Sequence, residues 1–458
     1  MDTEVAFTGE AANAVDGCGY MPLHVAAAVG NADVLTQLVS AGAEVGAVTK
    51  DGRTPLHIAC GNGHASCVRA LLDAGANKEA ADINGATPLY IACQKGHEAC
   101  VRAMLDAGAN KEAAQKDGWT PLHIACSNGH EACVRVLLHA DANKEATSKS
   151  GATPLHVACQ EGHEACVRVL LGAGANKDAA NSWVYTPLYI ACQNGHQACV
   201  RALLEAGANT EATKTGGYTS LYIACLKGHE ACVRMLLGAG ANTEAVNMKG
   251  WTPLYVACYQ GHNACVSALV EVGANMEAVN KFGATPLFIA CYQGHETCVR
   301  VLLDAGANIE AADEDGATPL HIACYNGHQA CVRAMLGAGA NMEAVNNICR
   351  TALHVACFQG HEVCARALLG AGANVEAADN NSWTPLFLAC LQGHLACVRA
   401  LLDTGAYVEA VANNGRTPLH AACSNGHAAC VCALLHAGSH RGAAMQPDFG
   451  RIASTACT

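Results

Sequence analysis

Gly52-Arg53-Thr54-Pro55-Leu56-His57-Ile58-Ala59-Cys60 is the stretch that decides the fold. Thr54 is a good N-cap, because its side-chain oxygen can accept a free backbone N–H at a helix start. Pro55 suits the first helical position, where no N–H is needed. Gly63 ends this short helix and opens a tight turn. The spacing predicts a second helix from about His64 to Ala74, with Cys67, Val68, Leu71 and Leu72 on its buried face and Arg69 and Asp73 toward water. Gly75 stands where a left-handed cap is needed, and residues 76–84 read as an extended arm with a turn.

Working outward, the residue in Thr54's place recurs at Met21 and then at Thr87, Thr120, Thr153, Thr186, Thr219, Thr252, Thr285, Thr318, Thr351, Thr384 and Thr417. Every step is 33 residues, which gives thirteen copies without insertion or deletion. A chain of 458 residues would otherwise suggest about three domains. A fixed period instead predicts a solenoid in which each unit packs on its neighbours. The expected boundaries are an N-terminal segment, 1–19, ending in a partial finger, a repeat domain, 20–445, and a short tail, 446–458.

The period, Thr-Pro-Leu-His, Gly-His, Leu-Leu and Gly-Ala-Asn together resemble the ankyrin repeat family, over roughly residues 10–445. The resemblance implies an all-α solenoid of helix–turn–helix units joined by β-hairpin fingers. It also implies partners that bind finger tips and inner helices. With helices roughly 8–10 Å apart, thirteen copies would make a rod on the order of 100–130 Å long. Some copies depart from the pattern: Met21 replaces the capping Thr, and Ser220 and Ala352 replace Pro. The arm reads Gly-Ala-Asn-Lys-Glu, as at Gly75 to Glu79, so the family's arm Asn, a target of hydroxylation, is Glu in most copies. The first copy has Ala27, Val34 and Asn31 where later copies have Cys, Cys and His, and reads as an N-terminal cap. No polar cap follows the thirteenth copy, which suggests a fragment or a fraying last unit.

Composition bounds the function. Half of the chain is apolar (51%) while 5% is aromatic, so the core is built from Ala, Leu, Val, Ile and Cys. A net charge of −12 argues against nucleic acid, whose binders need a basic stripe. No apolar run approaches the roughly 20 residues of a membrane span, and the acidic N-terminus lacks a secretory signal. These features, with 28 Cys, point to a reducing cytoplasm or nucleus and against a disulfide framework.

Twelve copies carry Cys-x-x-x-His-x-x-Cys, from Cys60, His64, Cys67 to Cys423, His427, Cys430, which accounts for 24 of the 28 Cys. Zinc would want about four ligands. A copy offers three, at core positions, and neighbouring copies are expected too far apart for a disulfide. Packing is therefore the expected role of these thiols, with a thiol or metal buffer as the rival reading. The remaining Cys18, Cys349, Cys432 and Cys457 are the candidates for exposed, reactive thiols. A second His set heads the first helix of several copies, but other copies place Tyr or Phe there, and Phe can neither ligate metal nor transfer protons. No unique nucleophile stands beside a base, so a non-enzymatic chain without cofactor or metal is expected.

Differences between copies mark positions free to make specific contacts. The residue after the first Cys is Leu226, Tyr259, Tyr292, Tyr325, Phe358 and Leu391 in six consecutive copies, seven to twelve. The residue before the capping Thr includes Trp251 and Trp383. Aromatic residues are common interface anchors. These eight residues are the candidate partner-binding strip, along the groove that the resemblance implies; their rival reading is recent duplication with stacking between neighbours. Residues 50–260 hold 18 basic and 18 acidic residues, whereas 261–438 hold 7 and 14. The expected partner is a basic or mixed-charge protein bound by a monomer, with no nucleic acid and no membrane. An alternative is the binding arm or substrate adaptor, for example of ubiquitin-ligase type, of a larger protein.

Overall fold

The structure is a computed structural model that describes residues 9–17 and 19–438. The tail 446–458, Cys18 and Cys457 lie outside the described residues. Among them are a one-turn helix, Gly9–Ala12, and two helices in each of the thirteen copies. The chain divides into two compact units, 1–223 with 238–241 and 224–237 with 242–458.

In copy two the helices are Pro55–Asn62 and Ala65–Asp73, one residue inside the expected ends. Gly63 (φ 82°) and Gly75 (φ 79°) adopt the left-handed region that follows each helix. The first helix is buried from Pro55 through Cys60, because it packs between the first helices of the copies before and after. The second buries one face, Cys67, Val68 and Leu71, and packs on the second helices of its neighbours. Fully burying a side chain such as Leu71 stabilises by about 1.5–3 kcal/mol, and every copy repeats it. In the second unit the same two rows run from Pro253–Gln260 to Pro418–Ser424 and from Asn263–Glu271 to Ala428–His436.

The fingers are tight turns rather than strands. Asp82 N donates to Ala86 O at 2.9 Å, and the Asp82 carboxylate accepts from the N–H groups of Asn84 and Ala86. Ile83 N donates to Asp51 O of the finger before it. Such contacts are too short to form ladders; among the described residues the antiparallel pairing is one isolated bridge, Lys214 with Tyr218.

The arm glutamates have a structural task. Glu79 Oε1 accepts from Asn110 N of the next arm at 2.8 Å, and Glu277, Glu310 and Glu343 do the same for Asn308, Asn341 and Asn374. Each of these arms is thereby fixed to its successor by a charge-assisted hydrogen bond. No helix among the described residues is long and apolar enough to cross a membrane.

Candidate interaction surface

Two sets of histidines hold neighbouring copies together. His57, on the first helix, accepts at Nδ1 from Thr54 N (3.1 Å), and its Nε2 lies 3.0 Å from Ala86 O of the next copy. A carbonyl can only accept and an amide N–H can only donate. The ring is therefore neutral, with its proton on Nε2. His123, His156, His321 and His354 repeat the pattern. Burial lowers the pKa of all five, His354 to about 4. Where the copy has Phe288 or Phe387 this tie is absent and Thr still caps the helix.

The second set follows the turn glycine. Its hydrogen bond reaches the preceding copy. His295, His328, His361, His394 and His427 place Nε2 3.0–3.2 Å from the carbonyls of Tyr259, Tyr292, Tyr325, Phe358 and Leu391. Each ring covers the turn glycine of that earlier copy: a Cβ on Gly327 would lie 2.6 Å from the His361 ring. These histidines consequently fix the backbone of the candidate strip.

The eight strip residues fall into four groups. Tyr292 and Tyr325 are exposed, 43% and 50%. No ring contact joins either to another aromatic among the described residues, and Ala284 and Ala317 precede the capping Thr of their copies. Tyr259 is half-buried, 5.2 Å from Trp251, which also contacts Tyr255 and lies under Lys249. Phe358 and Trp383 are joined through Arg350, whose guanidinium carbon is 5.2 and 6.0 Å from their ring centroids. Arg350 Nε donates to the buried Asp379 carboxylate at 3.1 Å, and Trp383 stacks on Phe387. Leu226 and Leu391 are half-buried at the two ends.

One position escaped the sequence reading. Three residues before the capping Thr, at the finger tip, stand Trp183, Phe282 and Ile348, all exposed, with Phe282 at 70%. The same position holds Asp51, Asn84 and Asp117 in early copies, so the variation between copies marks it too.

The ladder cysteines are buried, and among the described residues no group of His, Cys, Asp or Glu could hold a metal ion. The first Cys of one copy is influenced electrostatically by the second Cys of the next, as with Cys60 and Cys100 or Cys291 and Cys331. Cys357 and Cys397 share a side-chain hydrogen bond that raises the first thiol and lowers the second. Burial pushes Cys100 and Cys298 up to about 11. Off the ladder, Cys349 and Cys432 are half-exposed.

With this geometry in place, comparison with known proteins is unambiguous about class. The profile described as ankyrin repeats (3 copies) matches residues 23–115, 108–181, 174–247, 239–313, 307–379 and 364–443, so the chain belongs to the ankyrin repeat family. Among solved structures it is similar to the crystal structure of the human ASB11 ankyrin repeat domain. The identity is 34% over 47% of this chain and 98% of that one, with a TM-score of 0.44. No curated protein matches.

Proposed function

We propose that the chain is a non-enzymatic scaffold that binds a protein partner along the first-helix ends of copies seven to twelve. The observation that carries this reading is the pair Tyr292 and Tyr325, two exposed rings at the same register whose backbones are fixed by His328 and His361. Fixed aromatic rings lose little conformational freedom on binding, which is why they make good anchors. Trp251 with Tyr259, and Phe358 with Trp383, extend the apolar surface to either side. The excess of acidic residues over 261–438, 14 against 7 basic, favours a basic or mixed-charge partner. The protein acts as a monomer in this reading.

A photocrosslinking amino acid placed in turn at Tyr292, Tyr325 and Val363 tests it. Val363 is equally exposed but sits on a second helix. Adducts to one partner from Tyr292 and Tyr325, lost when the other tyrosine is changed to Ser, are expected. Equal adduct yield from Val363 overturns the reading.

A further inference from the structure

Arg53 and Arg350 occupy the same place in copies two and eleven, yet their surroundings differ. Around Arg350 the space is filled by Phe358 and Trp383, with Asp379 hydrogen-bonded to Nε. At the matching positions around Arg53 stand Gly61, Ala86 and Asp82. The place that Phe358 fills is therefore empty at Gly61. What remains is a recess of about 340 Å³, lined by Arg53, Gly61, Asn62, Ile91, Gln94 and Lys95 among others.

The guanidinium is also less satisfied there. Arg53 Nε forms a long ion pair with the Asp82 carboxylate at 3.7 Å, beyond a hydrogen bond, and is a buried nitrogen with no hydrogen-bond partner. The side chain is 44% exposed, against 16% for Arg350. Lys95 adds a second cation, with no ion-pair partner among the described residues. Asn62 and Gln94 add side-chain amides. Two cations, two side-chain amides and a ring-sized gap define the occupant's chemistry.

We infer that this recess is a second binding site, for an aromatic side chain that carries or adjoins a negative charge. The ring takes the place that Phe358 holds in copy eleven, against the guanidinium face. The anion pairs with the exposed end of the Arg53 guanidinium and with Lys95, where it is stronger than a neutral acceptor. A phosphotyrosine and a C-terminal aromatic residue with its free carboxylate both offer this chemistry.

Ligand-observed NMR with the whole chain tests the site. The probes are N-acetyl-phosphotyrosine amide and N-acetyl-phenylalanine, with N-acetyl-phenylalanine amide and inorganic phosphate as controls. Either anionic ring should bind, and the stronger of the two identifies the source of the anion. Arg53→Gln should weaken binding about tenfold, the loss expected for one charge-assisted hydrogen bond. Gly61→Phe should abolish it by filling the gap, after a small shift of Ile91, whose Cγ2 would lie 3.2 Å from the new Cβ. Thermal melting of both variants checks the fold, and Arg53→Gln keeps the test open if Gly61→Phe misfolds. Equal binding of the neutral ring or of phosphate alone, or binding unchanged in Arg53→Gln, overturns the inference.

Discussion

His354 donates from Nε2 to the backbone carbonyl of Trp383, 3.0 Å away in the next copy, while its Nδ1 accepts from Thr351 N. Protonating this ring would place a second proton on Nδ1, facing a donor. Burial and this geometry together hold the ring neutral.

A pH dependence follows. A histidine whose pKa drops on folding stabilises the protein above its unfolded pKa, near 6.5, and loses that contribution as pH falls through the folded value. For His354 the folded value is about 4, which corresponds to roughly 3 kcal/mol lost between pH 7 and pH 4. His57, His123, His156 and His321 shift the same way. Urea unfolding at stepped pH should show stability falling across this window, and His354→Phe should flatten the slope. A stability unchanged from pH 7 to 4 would refute the neutral-ring assignment.

Gly327 should not tolerate Ala. Its φ of 73° strains any residue with a Cβ, and that Cβ would lie 2.6 Å from the His361 ring. A cost of about 2–3 kcal/mol is expected. Hydrogen exchange should show the loss first at the end of the helix Pro319–Tyr325 and at the start of Gln329–Gly337.

Arg350 and Arg53 should respond differently to Ala. Arg350→Ala removes the cation between two rings and leaves the buried Asp379 without its partner, a loss of about 3 kcal/mol or more. Arg53 sits 3.7 Å from Asp82 and is far more exposed, so Arg53→Ala should cost below about 1 kcal/mol. Chemical denaturation of the two variants measures the difference directly; equal losses would contradict the contrast drawn between the two copies.

Alkylation of the native protein with iodoacetamide should label Cys349 and Cys432 first among the described thiols, since both are half-exposed. Ladder cysteines should react only on opening. Peptide mass spectrometry over time resolves the order.

Much of this was legible in the residues. The 33-residue period, the caps at Thr54, Gly63 and Gly75 and the buried Cys67–Leu71 face follow from spacing and turn chemistry. The histidine ties did not, because each joins residues 29 or 36 apart, and only the stacking of copies brings them together. The strip was half legible. Tyr259, Tyr292 and Tyr325 share one register, yet Tyr259 is covered because Trp251 precedes its copy, while Ala precedes the other two. Exposure there depends on two positions eight residues apart, and reading either alone misses it.

The ties that cross between copies also bear on how such a chain can change its length. The arm contact spans 31 residues and the two histidine contacts span 29 and 36, so each always lands on an adjoining unit. Excising residues 285–317, one whole copy, presents every donor with an equivalent acceptor from the copy that closes the gap. Loss of one residue more or fewer would offset every tie at the junction. Gain and loss in whole cassettes of 33 is thus the mutational step this architecture accommodates, whereas single-residue insertions are confined to finger tips, where the chain is free to bulge into water.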